Sequence, residues 1–116
     1  METLLLDREL VAEIRRIEQA TGRNDLFAGF VRNLEASLKG FGTAFADCIA
    51  RGDTSAAARA AHTMKGGCRQ LGAQALGDLF ADIERWAKAG DYAQAKRTFD
   101  GSAGLITQSL DELKRA

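Results

Sequence analysis

Histidine occurs once in this chain of 116 residues, cysteine twice and proline not at all. Cys48 and Cys68, with a single histidine, cannot supply a disulfide framework or a four-ligand metal site. A reducing, cytoplasmic setting is the simplest expectation. Neither sign of charge is in excess, since 16 basic residues balance 16 acidic ones. That balance argues against nucleic acid or an anionic membrane as the main partner, because both reward a strong positive surplus. No apolar run approaches the ~20 residues of a bilayer span. The start, METLLLDREL, lacks the basic segment and long apolar stretch of a secretory leader. No polar Gly/Ser-rich linker divides the chain, so residues 1–116 read as one domain. Strand-like alternation is missing as well, and Val and Ile are few.

What is present is helical spacing throughout. A first helix is predicted over about Asp7 to Gln19, with Leu10, Ile14 and Ile17 as its apolar stripe and Gly22 as its stop. A second runs to about Arg51, carrying Phe27, Val31, Leu34, Leu38, Phe41, Phe45 and Cys48 at alternating spacings of three and four. Asp53, Thr54 and Ser55 are candidate caps for a third helix with the stripe Ala57, Ala61, Met64, Cys68 and Leu71. After a break at Gly72, a fourth turns Leu76, Leu79, Phe80, Ile83 and Trp86 inward. The fifth uses Tyr92, Ala95, Phe99, Ile106, Leu110 and Leu113, weakened at Gly101 and Gly104. The expected fold is all-α: an antiparallel up-and-down four-helix bundle over residues 23–116, preceded by an additional N-terminal helix within residues 1–22.

The third helix carries the lone histidine, in AAHTMKGGCRQLG. His62 follows the inward Ala61, which places it roughly 100° around the wheel, on an exposed flank. Its neighbours on that face are Ala58, Arg59, Lys65, Gly66 and Arg69. Lys65 and Arg69 supply cations. A mid-helix Gly66-Gly67 pair is costly and asks for a reason. An open, cationic setting suits a phosphorylated imidazole, because a neutral ring nitrogen can attack a phosphoryl group and nearby cations stabilise the charge that develops.

His-Thr-Met-Lys-Gly-Gly followed by Leu71-Gly72-Ala73 resembles the signature of histidine phosphotransfer (HPt) domains. Downstream, LGDLFADIERWAKAGD resembles the family's next helix and its Ala-Gly-Asp turn. The resemblance implies that His62 is phosphorylated through Nε2, that Lys65 stabilises the phosphoryl group, and that Gly66 leaves room for the partner. The family places a Gln or Glu 22 residues past the histidine to hold the other ring nitrogen, and here that residue is Glu84. Glu84 and Gly67 resemble the phosphotransfer domain of chemotaxis kinases in particular. Arg59, Gly67 and Arg69 are candidate partner-docking positions. Ordinary surface charge is the plainer reading of Arg59, a solvated face that of Lys65 and Arg69, and an exposed acid that of Glu84. Cys68 reads as a buried small hydrophobe.

The expected function is that of a phosphocarrier, not of an autonomous kinase. It would accept a phosphoryl group from a receiver-domain aspartate onto His62 and pass it to another receiver in a multistep two-component phosphorelay. The partners implied are response-regulator receiver domains, those of hybrid histidine kinases included, and the receiver would bring the Mg²⁺. No cofactor or metal of its own is expected. The Met start and the lack of a linker read as a free-standing protein, and a monomer is expected. The competing reading is a module that docks and inhibits a receiver or kinase without carrying phosphate.

Overall fold

The computed structural model describes residues 5–116; the first four residues, part of the segment in which no leader is read, lie outside them. Six helices follow in order: α1 Arg8–Thr21, α2 Leu26–Ala50, α3 Thr54–Gln70, α4 Gln74–Lys88, α5 Tyr92–Asp100 and α6 Ala103–Arg115. There is no strand among the described residues. α3 packs most extensively on α4, α2 lies against α3, α5 against α4, and α6 closes on both α2 and α4. The bundle is thus α2, α3, α4 and the α5–α6 arm, with α1 laid against α2.

The predicted fifth helix is two helices. The chain breaks at Gly101 and Ser102, where Ser102 Oγ bonds back to the Phe99 carbonyl and Ser102 is buried. Periodicity of apolar residues survives the break because α5 and α6 both face the same core, which is why the stripe alone reads as continuous.

The α2 stripe is buried along its whole predicted length, from Phe27 to Cys48. It meets Ala57, Ala61, Met64 and Cys68 of α3 and Leu76, Phe80, Ile83 and Ala87 of α4 in one continuous core. Small residues on α3 let α4 come close, and the volume is filled by aromatics. Phe41 contacts Phe80 edge-on at 4.9 Å between ring centroids and Phe99 at 5.0 Å. Gly42 faces Phe99, whose ring would lie 3.0 Å from an added Cβ. Cys48 and Cys68 are free and buried, and burial pushes the Cys68 thiol up to about 12, so it stays protonated and unreactive.

The α1 stripe needs correction. Ile17, predicted inward, is 51% exposed, while Glu18 beside it is buried. Glu18 Oε2 accepts the Phe27 N–H at 2.8 Å, and its Oε1 accepts from Arg15 at 2.8 Å. The carboxylate thereby satisfies a free amide in the first turn of α2, and Ile17, one position earlier, is left facing solvent. The Phe27 N–H first, then Arg15, holds the Glu18 carboxyl below its ordinary range. Arg15 also stacks over the Phe27 ring at 4.5 Å and reaches the Ala116 carbonyl.

The α3–α4 turn is pinned by the segment before α1. The Asp7 N–H donates to the Gly72 carbonyl at 2.8 Å, and the Ala75 N–H donates to Leu5 at 3.3 Å. Gly72 has φ +85°, and an added Cβ would meet Val11 Cγ2 at 3.0 Å and the Asp7 carbonyl at 3.1 Å. Both the left-handed backbone and the close approach require glycine there.

Phe80 sits at the centre of this packing with no exposed surface. Phe80→Ala is expected to cost about 3–5 kcal/mol, measured by denaturant unfolding; a loss below 1 kcal/mol would contradict a single aromatic-filled core.

Candidate functional site

The buried stripe of α3 settles where its other faces point. Ala57, Ala61, Met64 and Cys68 turn inward, and His62, one residue past Ala61, projects from the flank with its side chain 65% exposed. The α4 stripe does the same on the other side of the seam. Ile83 is buried in the core, and the next residue, Glu84, lies at the boundary between α4 and α3 with its side chain only 8% exposed.

The two helices meet at the Glu84 carboxylate. His62 Nδ1 is 3.1 Å from Oε2, Lys65 Nζ is 2.7 Å from Oε1, and Lys88 Nζ is 3.0 Å from Oε2. A buried carboxylate is costly unless it is paired and hydrogen-bonded, and here both oxygens are served. Burial pushes its proton affinity up, but Lys65 and then Lys88 outweigh burial and hold the carboxyl at about 2, against an ordinary 4.5. An ionised carboxylate only accepts hydrogen bonds, so in the neutral ring Nδ1 is the nitrogen that carries the proton and Nε2 the one with the lone pair. That nitrogen belongs to an exposed ring.

The structure therefore brings together His62, Lys65 and Glu84, the three residues to which sequence assigns the chemistry. Lys65 is the less exposed of the two lysines at 21%, because its stem lies along the helix seam and its ammonium is engaged by Glu84. Arg59, with Thr54, Ser55, Ala58 and Lys88, lines an open cleft of about 550 Å³ beside His62 and Glu84. Gly66 and Gly67 have ordinary helical backbone, and an added Cβ at either would meet nothing within 4 Å. Intramolecular packing requires neither glycine.

Arg69 stands apart from His62, seven residues and roughly 10 Å along the helix axis. Its stem crosses α4 at Gly77, where a Cβ would come within 2.6 Å of Arg69 Cγ, and its guanidinium lies 3.5 Å from Asp78.

Two features escape sequence reasoning. Lys88 is one; the signal was its position four residues after Glu84, the spacing at which a Glu–Lys pair meets on a helix. The other is Phe30, which lies outside the α2 stripe and is 45% exposed. With Ile14, Leu34, Met64 and Gly67 it borders an apolar groove of about 400 Å³ between α1, α2 and α3.

Two outcomes are expected. Gly66→Ala and Gly67→Ala should each raise stability by about 0.5–1 kcal/mol in thermal or denaturant unfolding, since a helical Ala replaces Gly with no clash; a loss of stability would show a hidden packing need. Second, the Glu84 carboxyl, followed by carbon NMR, should stay ionised until pH falls towards 2. Because its folded value is depressed, its contribution to stability is complete above about 4.5 and disappears as pH falls towards 2. Glu84→Gln should flatten the stability profile in that window, and an unchanged acid limb would contradict the pairing.

A helical bundle that carries an oriented, exposed imidazole can also be compared as a whole. No curated protein and no solved structure matches the chain. The family model described as Hpt domain does, over residues 8–116. Its span takes in all six helices and every residue around His62, and on that evidence the chain belongs to the Hpt domain family, whose members are phosphocarrier modules of His–Asp phosphorelays that interact with response-regulator receiver domains.

Proposed function

We propose that this protein carries a phosphoryl group on His62 Nε2, accepting it from the aspartyl phosphate of one receiver domain and passing it to the aspartate of another. The observation that supports this most is the ring's situation: largely exposed, with Nδ1 at the ionised Glu84 carboxylate. In the accepting step the Nε2 lone pair attacks phosphorus. The N–P bond forms, the aspartyl O–P bond breaks, and the aspartate carboxylate leaves. Nδ1 keeps its proton, so the phosphorylated ring carries positive charge, which Glu84 balances. Lys65 stabilises charge on the transferring group and fixes Glu84. Passing the group on reverses these bonds.

The receiver supplies the aspartate and the Mg²⁺; this chain supplies the imidazole and its surroundings. Such a division leaves no self-phosphorylation from a nucleotide to this chain. Gly66 and Gly67 keep the α3 surface bare where the receiver's active-site edge must approach, Arg59 borders the same approach, and Arg69 contributes charge further along the helix. The apolar groove at Phe30 adds contact surface on the far side of α3, since exposed apolar patches mark sites of protein association. The partners are receivers of response regulators or hybrid kinases, the working state is a monomer, and the compartment is the cytoplasm.

Mixing the protein with a radiolabelled phospho-receiver and Mg²⁺ tests the proposal. Wild type should acquire acid-labile label and His62→Gln should acquire none. Stoichiometric binding without label would instead identify a docking inhibitor, and label retained in His62→Gln would reject the assignment.

A further inference from the structure

The Glu84 carboxylate poses a chemical problem for the residue it orients. An anion beside an imidazole favours the protonated ring. A ring protonated at both nitrogens has no lone pair with which to attack phosphorus. Left alone with His62, Glu84 would therefore aim the nucleophile and at the same time oppose it. The charged groups facing the ring are Arg59 and Lys65 from α3 and Glu84 and Lys88 from α4. Lys65 takes the oxygen remote from the ring, at 2.7 Å from Oε1. Lys88 takes the oxygen the ring itself uses: its Nζ is 3.0 Å from Oε2, and His62 Nδ1 is 3.1 Å from that same atom.

We propose that Lys88 is a positioning residue for the phosphoryl-accepting step: from one helical turn beyond Glu84 it holds Oε2 beneath Nδ1 and offsets the carboxylate's charge, so that the ring stays oriented while Nε2 stays free. The inference rests on the reading of His62 as the phosphoryl acceptor. Lys88 belongs to the last turn of α4, where a cation is favoured by the helix dipole and by the Glu–Lys spacing of four. Lys88 itself is 65% exposed, so its effect on the ring is screened and moderate.

The test uses the whole protein and phosphoramidate, a small phosphoryl donor that needs no docking surface. His62 Nε2 attacks phosphorus, the P–N bond of the donor breaks, and ammonia leaves. The initial rate of His62 labelling is followed from pH 5.5 to 9, in steps of about half a unit, for wild type, Lys88→Met and Lys88→Arg. Lys88→Met should move the acid limb of the profile upward by about half a pH unit, a loss of about threefold in rate on that limb, and the loss should shrink as pH rises. Lys88→Arg, which keeps charge and donors, should restore the wild-type profile. In a Glu84→Gln background, where no carboxylate remains to be offset, Lys88→Met should leave the profile where it is. Superimposable profiles of wild type and Lys88→Met would overturn the inference. So would a loss uniform across pH that arginine does not rescue, or an undiminished effect in the Glu84→Gln background, which would put Lys88 on the phosphoryl group directly. Absence of label in wild type, from phosphoramidate and from a phospho-receiver alike, would reject the carrier function and this inference with it.

Discussion

A single carboxylate, withdrawn from water at the seam of two helices, organises the site. Glu84 accepts from His62 and Lys65 on α3 and from Lys88 on its own helix. Removing Lys65, itself only 21% exposed, leaves a buried charge with fewer partners, a larger cost than a surface ion pair carries, while the exposed Lys88 is screened and weighs less. The three contacts therefore hold one another in place, and the imidazole inherits an orientation that no property of its own helix would give it. The rest of the bundle serves to bring α3 and α4 together closely enough for that sharing. Ala57 and Ala61 on one helix and Ala87 on the other are fully buried, and the aromatic cluster around Phe80 fills the space behind them.

Exposure of the ring and burial of its partner are two outcomes of one packing arrangement. A residue that follows a fully inward position on a helix falls at the edge of the buried stripe, and both His62 after Ala61 and Glu84 after Ile83 hold that place. Which of the two is covered depends on the neighbouring helix. The α3 side faces open cleft at His62, while Glu84, at the inner edge of that cleft, has both oxygens engaged by Lys65 and Lys88. The ring is thereby accessible from solvent while the group that orients it is shielded from water that would compete for its oxygens.

The sequence made the helices and the α2–α3–α4 core legible, because long apolar stripes with helical spacing have few alternatives once strands and membrane spans are excluded. It also made the flank position of His62 legible, through the adjacent inward Ala61. Glu84 is legible only through the family's spacing; periodicity alone makes it an acid beside a stripe. Lys88 is not legible in the sequence because Glu–Lys pairs four apart are common on solvated helices, and only the burial of Glu84 makes this one consequential. Ile17 was misplaced because an apolar stripe says nothing of an amide that needs an acceptor. The Phe27 N–H draws Glu18 inward at the expense of its neighbour. The break at Gly101–Ser102 shows in the sequence only as a weakening at Gly101, because two helices facing one core share one pattern.

The link between Asp7 and Gly72 carries a consequence for how such a chain can change length. Gly72 lies between His62 and Glu84 in sequence, and the Asp7–Gly72 and Leu5–Ala75 hydrogen bonds fasten the hairpin at its bend. The 22-residue interval from imidazole to carboxylate then behaves as a vernier. One residue added or deleted within either arm between the bend and the site would slide the downstream positions by about 1.5 Å and rotate them by about 100°. Length variation in relatives that keep this pairing should accordingly collect in the turn before α3 or after α4, and leave the interval between imidazole and carboxylate untouched.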